Sequence, residues 1–321
     1  MRRRALSNLL AILLTISVLT ACKKTTIPST RNAGGQAEKL KVVATTSIVS
    51  DIVSQVGGEQ IELATLLPLG ADPHGFEPAP QDIAKLADAD VVFANGAGLE
   101  DFLDNLIESA GAEGKVVYVS EGIALIQCEE ESKDEHEGEG NSSKHEGADP
   151  HTWIDPNNVI VWVKNIENKL RELDPENSAT YKANAETYEK DLKALDAWIR
   201  QQVAQIPETD RKIITDHTLF CYFIDEYGLE QAGAIVPGYS TAAEPSAQDL
   251  AALEDAIKDL DVKAVFVGNT VNPELAQRVA DDTGTALVFL YTGSLSEPEG
   301  EAGTYLDYMH YNVEAIVEAL K

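Results

Sequence analysis

KLKVVATTSIVSDIVSQVGG (residues 39–58) changes its periodicity halfway along. An apolar, β-branched run leads into the polar Thr45-Thr46-Ser47, then into a helical spacing of apolar residues that Gly57-Gly58 ends, so the stretch predicts a strand followed by a helix. The same alternation continues. IELATLLPLG predicts a strand, PAPQDIAKLADAD a helix with proline at its start, VVFANG a strand, residues 99–109 a helix and KVVYVS a strand. Four strands alternating with helices imply βα units and a mainly parallel sheet.

After WIDPNNVIVWVKNIENKLRELDP, a predicted helix, residues 176–206 carry Tyr181, Tyr188, Leu192, Leu195, Ile199 and Val203 on one helical face. The pattern predicts a continuous helix of about 30 residues, well beyond the usual length. Beyond Pro207 the alternation resumes with KIITDH, QAGAIV, KAVFVGN and ALVFLY as strands, and the chain closes on the helix TYLDYMHYNVEAIVEAL. The expected fold class is α/β: two lobes, each with a mainly parallel four-stranded sheet flanked by helices, joined by one long rigid helix. The expected boundaries are 39–175 for the first lobe, 176–206 for the linking helix and 207–321 for the second lobe. Such a helix would limit hinge motion, so a ligand held between the lobes is expected to leave through small local shifts.

With 321 residues the chain is long enough for two cores. Its formal net charge of −29 repels phosphates, which disfavours nucleic acid as a partner, and attracts cations. Residues 1–22 have the form of a targeting segment, with Arg2, Arg3 and Arg4 before a short apolar run. The segment ends in Leu19-Thr20-Ala21-Cys22, which resembles the lipobox of bacterial lipoproteins, so a lipid on Cys22 is expected to anchor the chain to the membrane. The polar residues 23–38 form the expected tether. Residues 129–147 hold 8 acidic residues with His136 and His145 and predict a surface loop. Cys128 and Cys221 define no metal-thiolate site, and whether they pair is left open.

The pentapeptide Gly-Ala-Asp-Pro-His occurs twice, ending at His74 and at His151, in a chain with 6 histidines. His74 follows one predicted strand and His217 ends another, one at the carboxyl end of a strand in each lobe, where open parallel sheets bind ligands. His151 follows the acidic loop. Three imidazoles at a cleft are the donor set of a zinc site, which needs three or four N, S or O ligands. His310 is expected to pack on the last helix or face solvent. His136 and His145 are accessory candidates only.

LPLGADPHGFEPAPQDIAKLADADVVFANGAGLEDFL, DPHTWIDPNN, TDHTLFCYFIDEYGL and EPSAQDLAALEDAIK resemble the signature segments of the zinc and manganese substrate-binding proteins of bacterial ABC importers. The resemblance runs from Leu40 to the C-terminus. It implies His74, His151 and His217 as metal ligands, with histidine at the third position favouring Zn²⁺ over Mn²⁺. Members commonly supply an acid in the turn after the last strand, where this chain has Gly293. Either a water completes the site, which is the preferred expectation, or Glu297 reaches in. Glu244 matches a segment of the family without being expected as a ligand. The acidic loop resembles the charged, often histidine-rich insertion of zinc-type members.

The function implied is a monomeric, lipid-anchored extracytoplasmic receptor that captures Zn²⁺ and passes it to an ABC transporter permease, with no chemical step. A manganese or iron receptor of the same family is the near alternative. A zinc hydrolase also uses three histidines, but the chain has no His-Glu-x-x-His helix and no evident general base. Adhesion, sometimes ascribed to such lipoproteins, has no sequence feature behind it.

Overall fold

A computed structural model describes residues 39–128 and 147–321. The signal segment, Cys22, the tether, and His136 and His145 of the acidic loop lie outside the described residues.

β1 (Leu40–Ala44) runs into α1 (Ser47–Gly57), as the change of periodicity predicts. The Thr46 hydroxyl accepts the Val49 N–H at 3.2 Å and so caps the helix, and Gly58 ends it at φ 54°, a conformation that costs glycine little. β2 (Ile61–Thr65), α2 (Pro80–Asp88), β3 (Val91–Ala94), α3 (Leu103–Ala110) and β4 (Val116–Tyr118) complete the first half. α4 (Pro156–Leu173) and α5 (Ser178–Val203) follow. The second half comprises β5 (Lys212–His217), α6 (Cys221–Tyr227), β6 (Glu230–Val236), α7 (Ala247–Asp259), β7 (Ala264–Gly268), α8 (Glu274–Thr283), β8 (Ala286–Leu290) and α9 (Tyr305–Leu320).

Each half builds one four-stranded parallel sheet, in the orders β2-β1-β3-β4 and β6-β5-β7-β8, so the two halves share a topology without sharing a sequence. In each sheet the first strand lies between the next two, which opens a crevice at its carboxyl end. Strand side chains alternate between two cores because their period is two. Val42, Ala44, Val91 and Phe93 face inward, while Val43, Val92 and Ala94 pack under Leu86, Leu103 and Leu106 of the outer helices. Ala264 and Phe266 likewise face inward, with Val265 and Val267 under Leu253, Ile257 and Val279.

The inward cores of the two sheets are continuous. One apolar cluster contains both, together with buried faces of α1, α4, α5 and α9. Tyr181, Tyr188, Leu192, Leu195, Ile199 and Val203 of α5 all lie in it, and burying each aliphatic side chain contributes about 1.5–3 kcal/mol. α5 has 26 residues and is preceded by a separate short turn, Pro175–Asn177, because Pro175 cannot continue the hydrogen bonding of α4. The two lobes are therefore joined by a common core as well as by one helix.

α5, at 26 residues, and α3 are both shorter than the sequence pattern predicts. α3 begins at Leu103, four residues after the expected Leu99. Gly96, Ala97 and Gly98 all have positive φ, and the Glu100 carboxylate accepts the N–H groups of Asn95 and Gly96, which holds a loop where the apolar pattern suggests helix. α6 starts at Cys221, after residues 218–220 lead away from the end of β5. No helix of the described residues is long and apolar enough to cross a membrane.

Candidate metal centre

The repeated pentapeptide is a local device for aiming histidine. Asp72 Oδ1 accepts the His74 N–H at 3.0 Å, and Asp149 Oδ1 accepts the His151 N–H at 2.9 Å. In both copies an aspartate closes a turn onto the backbone two residues later, across a proline whose φ is fixed by its ring. Both turns lie at the mouth of the crevice, one after β2 and the other just before the short helical turn Thr152–Ile154.

The copies differ in their second bonds. Asp149 Oδ1 also receives the His151 Nδ1 at 2.6 Å, and Asp149 Oδ2 accepts the Cys221 N–H at 3.2 Å. Asp72 Oδ2 instead accepts the hydroxyl of Thr241, from the other lobe. The third imidazole is held in yet another way. His217 is the last residue of β5, and the neighbouring Asp216 takes its Nδ1 through one oxygen and the Gly268 N–H through the other.

An ionised carboxylate only accepts, so in the metal-binding form, with Asp149 and Asp216 ionised, the Nδ1 atoms of His151 and His217 are the donors, which leaves both Nε2 atoms with free lone pairs. These lone pairs face one another. His151 Nε2 lies 3.0 Å from His74 Nε2 and 3.2 Å from His217 Nε2. Donors bound tetrahedrally at 2.0–2.1 Å would stand about 3.3 Å apart, so the spacing fits one ion. An octahedral ion with slightly longer bonds requires nearly the same separation.

His151 and His217 are 2% and 3% exposed, and His74 is half-buried. Burial, reinforced by the neighbouring imidazoles His151 and His217, lowers the His74 pKa to about 3. Burial also holds His151 well below the ordinary histidine value. Both rings rest in the neutral form that binds metal. Burial pushes the Asp149 carboxyl up to about 8, against the lowering effect of the His151 and Cys221 N–H groups. A divalent charge at the Nε2 atoms would reverse that shift.

The gap between the three rings is a cavity of about 10 Å³, close to the space of a single water or ion. Among the described residues no carboxylate joins the three histidines as a further donor. Asp72, Pro73, Thr270, Thr292 and Gly293 form the remaining wall, and the Thr292 hydroxyl is buried without a partner among the described residues. Gly293 is closely packed: a Cβ there would stand 2.9 Å from Pro73 Cδ and 3.0 Å from Thr270 Oγ1. Glu297 is the named alternative to water as the fourth ligand. Glu297 is exposed and does not line the cavity, because the Ser296 N–H bonds to Ala302 O and folds residues 296–302 back on themselves at the surface. His310 packs edge-on against Trp198 with ring centroids 4.1 Å apart, away from the site.

Sequence reasoning passed over Asp72, Asp149 and Asp216, although each lies one or two residues before its histidine, where a carboxylate can reach either the ring or the backbone of that residue. Thr241 carries no sequence signal. Cys128 and Cys221 form a disulfide with Cα atoms 5.3 Å apart.

Two sheets of one topology, with a cavity of ionic size between their carboxyl ends, define a two-lobed binding protein for a small ligand. Residues 42–319 match the family described as ZnuA, zinc-uptake complex component A, periplasmic, and the chain belongs to that family. It is 35% identical over 284 residues to the manganese-binding lipoprotein MntA of Halalkalibacterium halodurans, covering 88% of this chain and 89% of that one. It is 31% identical over 324 residues to the manganese ABC transporter substrate-binding lipoprotein PsaA of Streptococcus pneumoniae serotype 4, covering 99% of each. Among solved structures, the periplasmic zinc binding protein TroA from Treponema pallidum superposes with a TM-score of 0.78 at 26% identity, over 88% of this chain and 99% of that one. The chain is thus a metal-binding substrate-binding protein and not an enzyme.

Proposed function

We propose that the protein captures Zn²⁺ outside the cytoplasm, holds it by the Nε2 atoms of His74, His151 and His217, and passes it to the permease of an ABC importer while a lipid on Cys22 keeps it at the membrane. The observation that carries this reading is the convergence of three imidazole nitrogens within 3.2 Å contacts. Neutral nitrogen donors suit zinc, whereas manganese prefers oxygen. Water is the proposed fourth ligand, since glycine stands at 293 and hydroxyls of Thr270 and Thr292 line the wall.

The manganese reading rests on a different observation, the names of the relatives, of which MntA and PsaA are both called manganese proteins. Calorimetric titration of the chain from Lys39 onward with Zn²⁺ and with Mn²⁺, beside His217→Ala, separates the two. One Zn²⁺ per chain, bound at least tenfold more tightly than Mn²⁺ and weakened a hundredfold or more by the substitution, is the expected result (roughly 2.7 kcal/mol for one ligand). Tighter binding of Mn²⁺ would transfer the role to manganese. Zinc binding indifferent to His217 would remove the cleft as the site.

A further inference from the structure

His151 and His217 are each held at the ring by a carboxylate, but among the described residues no protein group takes His74 Nδ1. What fixes His74 is its backbone: the His74 N–H bonds to Asp72 Oδ1, and Asp72 is itself held by the Thr241 hydroxyl at Oδ2. Asp72 belongs to the loop after β2, and Thr241 to the loop after β6 in the opposite lobe. Thr241 also lines a cavity of about 470 Å³ whose wall includes Asp216, the tether of His217, so the contact lies close to solvent. The same loop reaches the first lobe a second time, where Tyr239 Oη accepts the Cys128 N–H at 2.8 Å.

We propose that Thr241 is a positioning residue for the metal: by donating its hydroxyl hydrogen to Asp72 across the cleft, it fixes the turn that presents His74. His74 is then the ligand whose grip depends on the loop after β6, and the first to leave when that loop moves. The two ring-tethered histidines stay in place, which gives release a local trigger without opening the shared core. This inference deepens the three-histidine reading above and rests on it.

The test measures Zn²⁺ dissociation from the full chain by stopped-flow mixing with a chelator, for the wild type and for Thr241→Val, Thr241→Ser, His74→Ala and the Thr241→Val/His74→Ala double variant. Valine keeps the shape and removes the hydroxyl; serine keeps the hydroxyl. Loss of a partner outside the ligand sphere costs roughly 10–100-fold in metal affinity, so Thr241→Val should release Zn²⁺ at least tenfold faster. Thr241→Ser should stay within about threefold of the wild type, as its hydroxyl can make the same bond. In the His74→Ala background the valine change should have no further effect, since it acts through that residue. Melting of the metal-free variants controls for folding, with Thr241→Ala as the substitute if valine disturbs it.

A valine variant that releases Zn²⁺ at the wild-type rate, or one that adds its full effect to His74→Ala, overturns the inference while leaving the site intact. Wild-type protein that binds no Zn²⁺, or a His74→Ala variant that binds it normally, overturns the three-histidine reading and this inference with it.

Discussion

At the residue scale the site is a problem of buried charge. The Nε2 atoms of three imidazoles converge, and burial lowers the pKa of His74 and His151, so that protons compete little with a metal there. The remaining proton is on Asp149. With its pKa raised to about 8 in the metal-free protein, this carboxyl is largely protonated at pH 7, and a cation at His151 favours its ionised form. Binding therefore releases a proton below about pH 8. Affinity should rise with pH through the interval from 6 to 8, by about tenfold per unit for one linked proton, and level off above it. His74, with a pKa of about 3, competes only in strong acid. Titrations at several pH values, in buffers of different ionisation enthalpy, read this proton directly; affinity that is flat from pH 6 to 8 would exclude the linkage. Much of this scale was legible in the sequence: a doubled Asp-Pro-His motif points to its histidines by repetition alone. The partners of the aspartates were not, because whether an oxygen meets its own ring or a hydroxyl from another lobe depends on packing that adjacency does not encode.

At the element scale, periodicity placed every strand and most helices, and failed where side chains hold a loop against its apolar pattern, as Glu100 does before α3. The disulfide belongs to this scale. Cys221 is the first residue of α6, and its N–H holds Asp149 while its sulfur reaches Cys128, 93 residues away, across the start of the acidic insertion. Closing a loop of that length restricts the unfolded chain by about 4–5 kcal/mol in the chain-entropy account, and measured values for native disulfides run from about 2 to 5. A Cys128→Ser/Cys221→Ser variant should lose stability in that range in urea, with Zn²⁺ still bound by the three histidines but less tightly. An unchanged urea midpoint would show that the bond does not stabilise the folded protein relative to the unfolded chain.

At the scale of the whole molecule, two sheets of one topology share a single inward core with α1, α4, α5 and α9. Swinging one lobe from the other would expose that core, at a cost of about 25 cal/mol for each Å² of apolar surface, whereas moving the loops that carry His74 and Thr241 exposes little. Hydrogen exchange with and without Zn²⁺ should therefore change protection in residues 68–76 and 237–245 and leave α5 unchanged; a change along α5 would show whole-lobe motion. The sequence by itself determined the alternation of strands and helices, the long helix and the three histidines, since these depend on local periodicity and on residue chemistry. Tertiary structure alone decided that the imidazoles meet nitrogen to nitrogen, that Glu297 stays at the surface, that Cys128 pairs with Cys221 and that Thr241 reaches Asp72. Each of these joins residues distant along the chain, and such a meeting is fixed by how the two sheets share their core, which no local pattern records.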